Sequence, residues 1–369
     1  MGNDELAHLR YAQHILADKR LPNLNNYPTE NPAGNEYFQP PLYYIISSIF
    51  IFLSHSPTLQ LQTLRILSIL LWLVAFYLSY KIVVFLKFPK WISLSTLAFV
   101  ALLPTYIVNS STVTNDALVV PLTFTTFLYL LISSKKITPK NLALLALLTA
   151  LTIITKISGL ILIPTILVLI YLYKRASLPK RIFLASIYCF LTFVLSFWWF
   201  LYNYLTYKSF LGPIEASTAT FPTIPFNFYK IFLIFRGTFA TFWVSYGEAN
   251  QIRLPAFVYF LLLILTVFSL FGIAKYLKNP QKSQVAKSHL LLLIALISNV
   301  ALFFIFNIKQ HQPLGRYLFL SLIQISAIFS IGLYFLTPKA VRMYVPAFLI
   351  LGLLMLNIWG VITLSNFYH

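Results

Sequence analysis

Acidic side chains are rare in this 369-residue chain, and several stand beside groups that could move a proton or hold an anion. The acidic pair Asp4-Glu5 is followed one helical turn later by His8. A lone Asp116 lies in the stretch "TNDAL" within a strongly apolar region. So few charges in so apolar a chain each need a chemical explanation, such as acid–base work, ion binding or a role at a helix end.

The composition indicates the class of protein that must position these groups. Hydrophobic residues make up 59% of the chain and charged residues 9%, whereas about 25% charged residues are usual in soluble domains. Apolar runs of about 20 residues are typical of transmembrane helices. We expect ten spans, at 62–86, 91–107, 117–133, 141–155, 158–173, 182–203, 254–274, 289–307, 316–336 and 344–364.

The sequence therefore predicts an all-α polytopic membrane protein that forms one domain over residues 1–369. The apolar run 41–54 is too short for a span and is predicted to be a re-entrant or juxtamembrane helix. The domain divides into a first outer loop, six spans, a large outer loop and four spans, at 1–61, 62–203, 204–253 and 254–369.

Charge placement predicts the orientation. Five loops, together with Lys81, hold 16 of the 27 Lys and Arg residues and none of the eight Asp and Glu residues. By the positive-inside rule these loops are cytoplasmic, and both termini and all carboxylates face outward. The net charge of +19 then reflects topology. Basic residues scattered over short loops argue against a nucleic-acid partner.

Residues 3–18 are expected to form an amphipathic helix on the outer surface, with Asn3 as a candidate N-cap. Leu6, Leu9, Ala12 and Leu16 recur at helical spacing. Asp4, His8 and Tyr11 share another face. An equally good explanation of the acidic pair is that it stabilises the helix N-terminus.

Further polar groups follow on the predicted outer side. Glu36 and Gln39 precede Pro40-Pro41, and Tyr43-Tyr44 follow, although an interfacial aromatic belt also explains the tyrosines. Asp116 is a candidate N-cap for the span beginning at 117. No metal-ligand spacing, glycine-rich phosphate loop or Ser-His-Asp motif occurs in the sequence.

Two cations stand close to membrane ends on the same side. Lys156, in "ITKISG", is disfavoured outside by charge statistics and is expected to have an anionic partner. Arg316 begins a span beside Gly315, where backbone can approach closely. The segment 198–213 adds an aromatic exit from the membrane. The sequence thus predicts an outward pocket with carboxylates and cations around a membrane-level opening.

These motifs resemble the GT-C superfamily of membrane glycosyltransferases, in particular the protein O-mannosyltransferases and the lipid A aminoarabinose transferases. "NDELAHLRYAQHILADKRLP" and "PPLYY" resemble the first outer loop, and "TNDAL" the second. "TKISGLILIP", "WWFLYNYLTYKSFLG" and "GRYLFL" are similar to later motifs. The resemblance covers nearly the whole chain in order.

The chain departs from the family pattern in two places. Family members have a transmembrane helix before the acidic pair, whereas Met1 lies three residues from Asp4. The resemblance therefore implies that the first helix is missing. Relatives often have His, Lys or Glu near the Pro-Pro corner, where this chain has Phe38-Gln39.

The resemblance implies transfer of a sugar from a polyprenyl-phosphate donor to a protein, lipid or glycan acceptor on the extracytoplasmic face of the plasma membrane, with inversion. It implies Asp4 as general base, Glu5 shaping the acceptor site and Asp116 orienting the acceptor. No cofactor is certain, and a divalent cation stays an option. The carrier phosphate would bind Lys156, Arg316 and, less directly, Arg10 or Arg236. The substrate groove would comprise His8, Tyr11, Glu36, Gln39, Tyr43, Tyr44, Trp199 and Asn203.

Two other classes stay open. A transporter or lipid-carrier flippase predicts internal repeats and polar groups near the bilayer midplane. A non-catalytic membrane assembly factor would retain the fold without the chemistry. The absence of a clear repeat and the gathering of all acids on one predicted side favour the transferase.

Overall fold

The computed structural model describes residues 4–27, 36–54, 56–173, 175–212, 224–246, 252–278 and 285–368. The described chain is almost entirely helical, and its two short strands, β1 (Ser245–Tyr246) and β2 (Ile252–Arg253), form an antiparallel pair. The all-α fold class predicted from the sequence is confirmed.

Fourteen α-helices are described. The first seven are α1 (Glu5–Asp18), α2 (Leu42–Ile51), α3 (Pro57–Leu86), α4 (Lys90–Leu102), α5 (Pro104–Ser110), α6 (Asp116–Ser133) and α7 (Pro139–Ile153). The others are α8 (Leu162–Tyr171), α9 (Leu178–Tyr207), α10 (Phe228–Trp243), α11 (Ala256–Leu277), α12 (Val285–Lys309), α13 (Leu322–Leu336) and α14 (Val345–Tyr368). Short 3₁₀ turns precede α8, α13 and α14, at Ile157–Ile161, Gly315–Ser321 and Lys339–Tyr344.

Every predicted span falls on a helix. Within the described residues, seven helices are long and apolar enough to cross a membrane, and the pair α4–α5, bent by 52°, makes an eighth if it is one span. The predicted spans 141–155 and 158–173 correspond to the shorter apolar helices α7 and Ile157–Tyr171. The polytopic membrane architecture is confirmed.

Helix α2 shows why the run 41–54 is short. Pro40-Pro41 cannot continue a helix from the preceding side, so α2 begins at Leu42. The Leu42 N–H donates to the carbonyl oxygen of Ile154 at 3.0 Å. This bond joins the Pro-Pro corner to the turn that carries Lys156.

Two segments form the centre of the bundle. In α6 and in Gly315–Leu336, 72% of the most apolar window is buried by the protein, compared with 28% in α3 and α9. The outer helices expose their apolar faces, as expected where lipid replaces water. Asp116 begins the first of these segments and Gly315 begins the second, and both residues are buried.

Three of the basic loops, or residues beside them, meet at one end of the bundle. Lys135 lies over the ring of Phe85 at 5.0 Å, and Phe88 stacks on His289 at 5.2 Å. These contacts bring together the ends of α3, α6 and α12. Glu5 and Asp116 lie towards the other ends of α3 and α6.

Helices α11 and α13 approach closely at two glycines. A Cβ added to Gly272 would lie 1.8 Å from the carbonyl oxygen of Gly332. Small residues allow such contacts between membrane helices, where packing drives association. Beside the crossing, the Ser269 hydroxyl donates to the carbonyl of Phe329 at 2.9 Å.

We expect Gly272→Ala to destabilise the protein by about 1–3 kcal/mol, because the added methyl group forces these backbones apart. Thermal unfolding in detergent measures the change. Gly352→Ala in α14 is the matched control, since no atom lies within 4 Å of its added Cβ. Equal melting temperatures for the two variants would contradict the close-packed crossing.

Candidate functional site at the acidic end of the bundle

Helix α1 packs against α2 through an aromatic stack. Tyr11 and Tyr44 are fully buried with ring centroids 3.9 Å apart, and His8 Nδ1 lies 2.8 Å from the Tyr44 hydroxyl. The predicted apolar face is partly wrong, because Leu6 is 43% exposed while Glu5 and His8 face inward. The stack positions the start of α1. Asn3, the predicted N-cap, lies outside the described residues.

Glu5 is held by a forked ion pair. Arg65 of α3 donates from Nε and Nη2 to its two carboxylate oxygens at 2.8 and 2.6 Å, and the Val113 N–H donates at 3.0 Å. Such bidentate pairs fix geometry as well as charge. Glu5 thus ties α1 to α3 and to the loop before α6, a positioning role.

Asp116 forms a buried ion pair with Lys156. Lys156 Nζ lies 2.5 Å from Asp116 Oδ1, and the carboxylate is almost fully buried. The expected anionic partner of Lys156 is therefore confirmed. The prediction of Asp116 as an N-cap is wrong, because the helix begins at Asp116 and Asn115 occupies the cap.

Arg316 completes the cationic side of the site. Its Nη2 lies 3.5 Å from Asp4 Oδ2. The predicted close approach at Gly315 is confirmed, because a Cβ there would lie 2.3 Å from the Phe242 backbone. The Gly315 N–H donates to the Thr241 hydroxyl at 2.7 Å and fixes the turn that carries Arg316.

Glu36 and Gln39 form the rim before the Pro-Pro corner. Asn115 donates to Gln39 Oε1 at 2.9 Å, so the turn is joined to the start of α6. Glu36 Oε2 is buried and has no hydrogen-bond partner among the described residues. Burial raises the pKa of Glu36 to about 7, and the charge of Asp4 adds to the increase.

The pKa of His8 reflects both its burial and the charged groups around it. Burial lowers the pKa of His8 to about 4, while Asp4 and Asp116 oppose this shift and Arg316 and Lys156 support it. The imidazole is therefore neutral at pH 7. All four charged groups lie within electrostatic reach of one buried ring.

The remaining predicted groove residues are packed inside the protein. Tyr43 and Trp199 are buried, and Trp199 stacks on Tyr202 at 5.5 Å. Asn203 donates to the carbonyls of Phe38 and Phe210 at 3.5 and 3.4 Å. Asn203 and the ring of Trp199 thus support the rim from α9.

Two predicted phosphate ligands are not brought into the site. Arg10 lies on the exposed face of α1, and Arg236 is exposed on α10. Arg65 and Tyr317 were not among the predicted site residues, although the Tyr317 ring lies 5.3 Å from Lys156 Nζ. Arg65 carried a signal, because an arginine inside a predicted span needs a partner.

The arrangement suits anion binding and proton transfer. Lys156 and Arg316 provide cationic donors, while Asp4 is 45% exposed and has one long contact. Within the described ranges, no three His, Cys, Asp or Glu side chains are placed to hold a metal ion.

Comparison of sequences gives one family match. The model of the family described as "Predicted membrane protein (DUF2142)" matches residues 7–322. No curated protein matches the sequence.

Solved membrane proteins share the fold. ArnT from Cupriavidus metallidurans bound to undecaprenyl phosphate has a TM-score of 0.52 and 17% identity, covering 90% of this chain and 56% of that chain. The apo oligosaccharyltransferase of Archaeoglobus fulgidus has a TM-score of 0.57 and 13% identity, covering 98% and 52%. The same enzyme tethered to an acceptor peptide containing the NVT sequon gives 0.53 and 14%, covering 97% and 50%.

The chain thus spans about half the length of these proteins. The resemblance to the GT-C superfamily inferred from the sequence is confirmed at the level of the fold.

The raised pKa of Glu36 gives a pH-dependent prediction. The folded protein binds this proton more tightly than the unfolded chain, so the stabilisation is present below about pH 4.5 and is lost as the pH rises through about 7. We expect Glu36→Gln to gain stability relative to wild type between these values, by a few kcal/mol at most. Melting temperatures across this range measure the difference.

Asp18→Asn serves as the control, because Asp18 is an exposed carboxylate at the end of α1. Its difference from wild type should not change over the same range. Parallel pH profiles for wild type and Glu36→Gln would show that Glu36 ionises as an ordinary solvated carboxylate.

Proposed function

The chain belongs to the DUF2142 family of predicted membrane proteins, and from the fold that it shares with ArnT and from the site geometry we propose that it is a membrane glycosyltransferase. It transfers a sugar from a polyprenyl-phosphate donor to a hydroxyl-bearing acceptor. The observation that carries the proposal is the convergence of two ion pairs, because the cations paired with Asp116 and Asp4, Lys156 and Arg316, lie 5.3 and 5.8 Å from the same Tyr317 ring.

The fold supports this choice of donor. The similar ArnT structure contains bound undecaprenyl phosphate, a polyprenyl phosphate. The similar oligosaccharyltransferase was captured with an acceptor peptide. A site of the same fold that combines cations with an accessible carboxylate suits a lipid-linked anionic donor and a neutral acceptor.

Asp4 is the general base of the proposed reaction. Its side chain is 45% exposed, and its contact with Arg316 is long at 3.5 Å, so an acceptor can reach it. Asp116 is buried against Lys156, and Glu5 is held by Arg65. Of these three carboxylates, Asp4 is the most accessible to substrate.

Arg316 and Lys156 hold the leaving phosphate. The Nε atom of Arg316 is buried without a hydrogen-bond partner among the described residues, so its N–H group can donate to a bound anion. The ammonium group of Lys156 can donate three hydrogen bonds. Charge-assisted bonds of this kind stabilise the negative charge that develops as the phosphate departs.

The reaction proceeds in one displacement. The acceptor oxygen attacks the anomeric carbon, the bond from that carbon to the phosphate oxygen breaks, and the acceptor proton passes to Asp4. Phosphate is a weak base and leaves without a general acid. Attack opposite the departing phosphate inverts the anomeric centre.

The site faces away from the cytoplasm in this proposal. Three of the basic loops meet at the opposite end of the bundle, and the positive-inside rule assigns the basic loops to the cytoplasm. The protein then acts at the outer face of the plasma membrane, on a protein, lipid or glycan acceptor.

We expect Asp4→Asn to reduce sugar transfer by about 10²–10⁴-fold, because no carboxylate is then left to take the proton from the attacking hydroxyl. Membranes containing the full chain receive undecaprenyl phosphate carrying radiolabelled mannose, glucose or aminoarabinose. Formation of undecaprenyl phosphate and of labelled product measures transfer.

Asp18→Asn is the matched control, since it removes the same charge from the exposed end of α1. Its activity should equal that of wild type. Full activity in folded Asp4→Asn would exclude Asp4 as the base. No turnover by a folded protein that binds the carrier would favour transport or assembly.

A further inference from the structure

A partly open crevice lies on the side of Asp116, between α3, α5 and α6. Its lining includes Trp72, Tyr106, Asn109, Ser110 and Asp116. The cavity volume of the crevice is about 10 Å³. A cavity needs about 10–15 Å³ to hold one water molecule, so this crevice suits a single hydroxyl-sized group at the end of a larger molecule.

Two walls of the crevice carry buried polar atoms without partners. Asp116 Oδ1 is occupied by Lys156, whereas Asp116 Oδ2 has no hydrogen-bond partner among the described residues. The indole Nε1 of Trp72 is also buried and without a partner in that part of the chain. One atom accepts and the other donates. Burial without partners is costly for both, so a group that does both would stabilise them.

Pro121 interrupts the backbone hydrogen bonding of α6 beside the crevice. Pro121 lies inside the helix and has no N–H, so the Ala117 carbonyl cannot receive its normal helical hydrogen bond from residue 121. Ala117 and Pro121 both line the crevice.

Charge selects the kind of group that fits. A carboxylate in the crevice would be repelled by Asp116. An ammonium group would compete with Lys156 for a carboxylate that this lysine already neutralises. A hydroxyl group both donates and accepts and carries no charge.

We propose that this crevice binds a neutral carbohydrate hydroxyl, which donates to Asp116 Oδ2 and accepts from Trp72 Nε1. The assignment of that hydroxyl to a substrate rests on the proposed glycosyltransferase function. It belongs either to the sugar of the donor or to a polyol acceptor, and both present the same chemistry to the crevice. Trp72 is then a specificity-determining residue.

Alkylation of a cysteine in the crevice tests the proposal without requiring turnover. The full chain carries Cys189→Ser, which removes its one native cysteine, and Ser110→Cys, which places a thiol in the crevice wall. Glycerol is expected to slow alkylation by N-ethylmaleimide, whereas malonate and 1,3-diaminopropane at equal concentration do not. Undecaprenyl-phosphate mannose is compared with undecaprenyl phosphate to detect binding of the donor sugar.

Trp72→Phe, added to this protein, removes the N–H while keeping an aromatic ring. It should need about fivefold more glycerol for equal protection, the effect of one neutral hydrogen bond. Trp91→Phe, the same change at the far end of α4, should leave protection unchanged.

Each outcome has a defined meaning. Protection by glycerol supports the site with an acceptor hydroxyl, and protection only by the mannose-bearing carrier supports it with the donor sugar. Equal protection by the charged probes would overturn the proposal, because the crevice would then not select a neutral hydroxyl. Absence of protection by either hydroxyl source would also overturn it and leave water as the occupant. Protection without sugar transfer would retain the hydroxyl site while the proposed function fails.

Discussion

A charge buried among apolar helices is tolerated only when a partner neutralises it, and this requirement shapes the acidic end of the molecule. Asp116 and Lys156 are 40 residues apart in sequence and meet where two helical segments begin or end. Removing one member of such a pair commonly costs several kcal/mol, because the other is left as an uncompensated charge. The turn after α7 must therefore lie against the start of α6.

Other polar contacts extend from this pair. Glu5 joins α1 to α3 and to the loop before α6, and Gln39 joins the rim to Asn115. The Leu42–Ile154 hydrogen bond joins the Pro-Pro corner to the turn that carries Lys156. These groups are held in place, whereas Asp4, Glu36 Oε2 and Arg316 Nε keep capacity for new bonds. The division separates side chains that build the site from those that could act on a substrate.

The sequence was sufficient to predict the helices and much of the site. Apolar run length identified the membrane helices, and charge statistics identified Lys156 as a residue needing an anion. Helix α10 was missed, because it lies in the segment 204–253 that was expected to be an outer loop. Local patterns failed where distant contacts decide. The spacing of the leucines predicted that Leu6 lies on the buried face of α1. In the structure, the bidentate ion pair with Arg65 turns Glu5 inward. Asp116 was predicted to be a helix cap because its partner, Lys156, lies on a distant turn after α7. The crevice at Trp72 could not be predicted because it depends on the packing of three helices.

Binding of undecaprenyl phosphate to Arg316→Met tests the central claim most directly, namely that the cations of this site hold a lipid-linked phosphate. Native mass spectrometry in detergent measures the affinity of the variant beside wild type and Lys208→Met, which removes an exposed lysine. Loss of a charge-assisted bond predicts about 10–100-fold weaker binding for Arg316→Met and unchanged binding for Lys208→Met. Unchanged affinity in folded Arg316→Met would contradict the account.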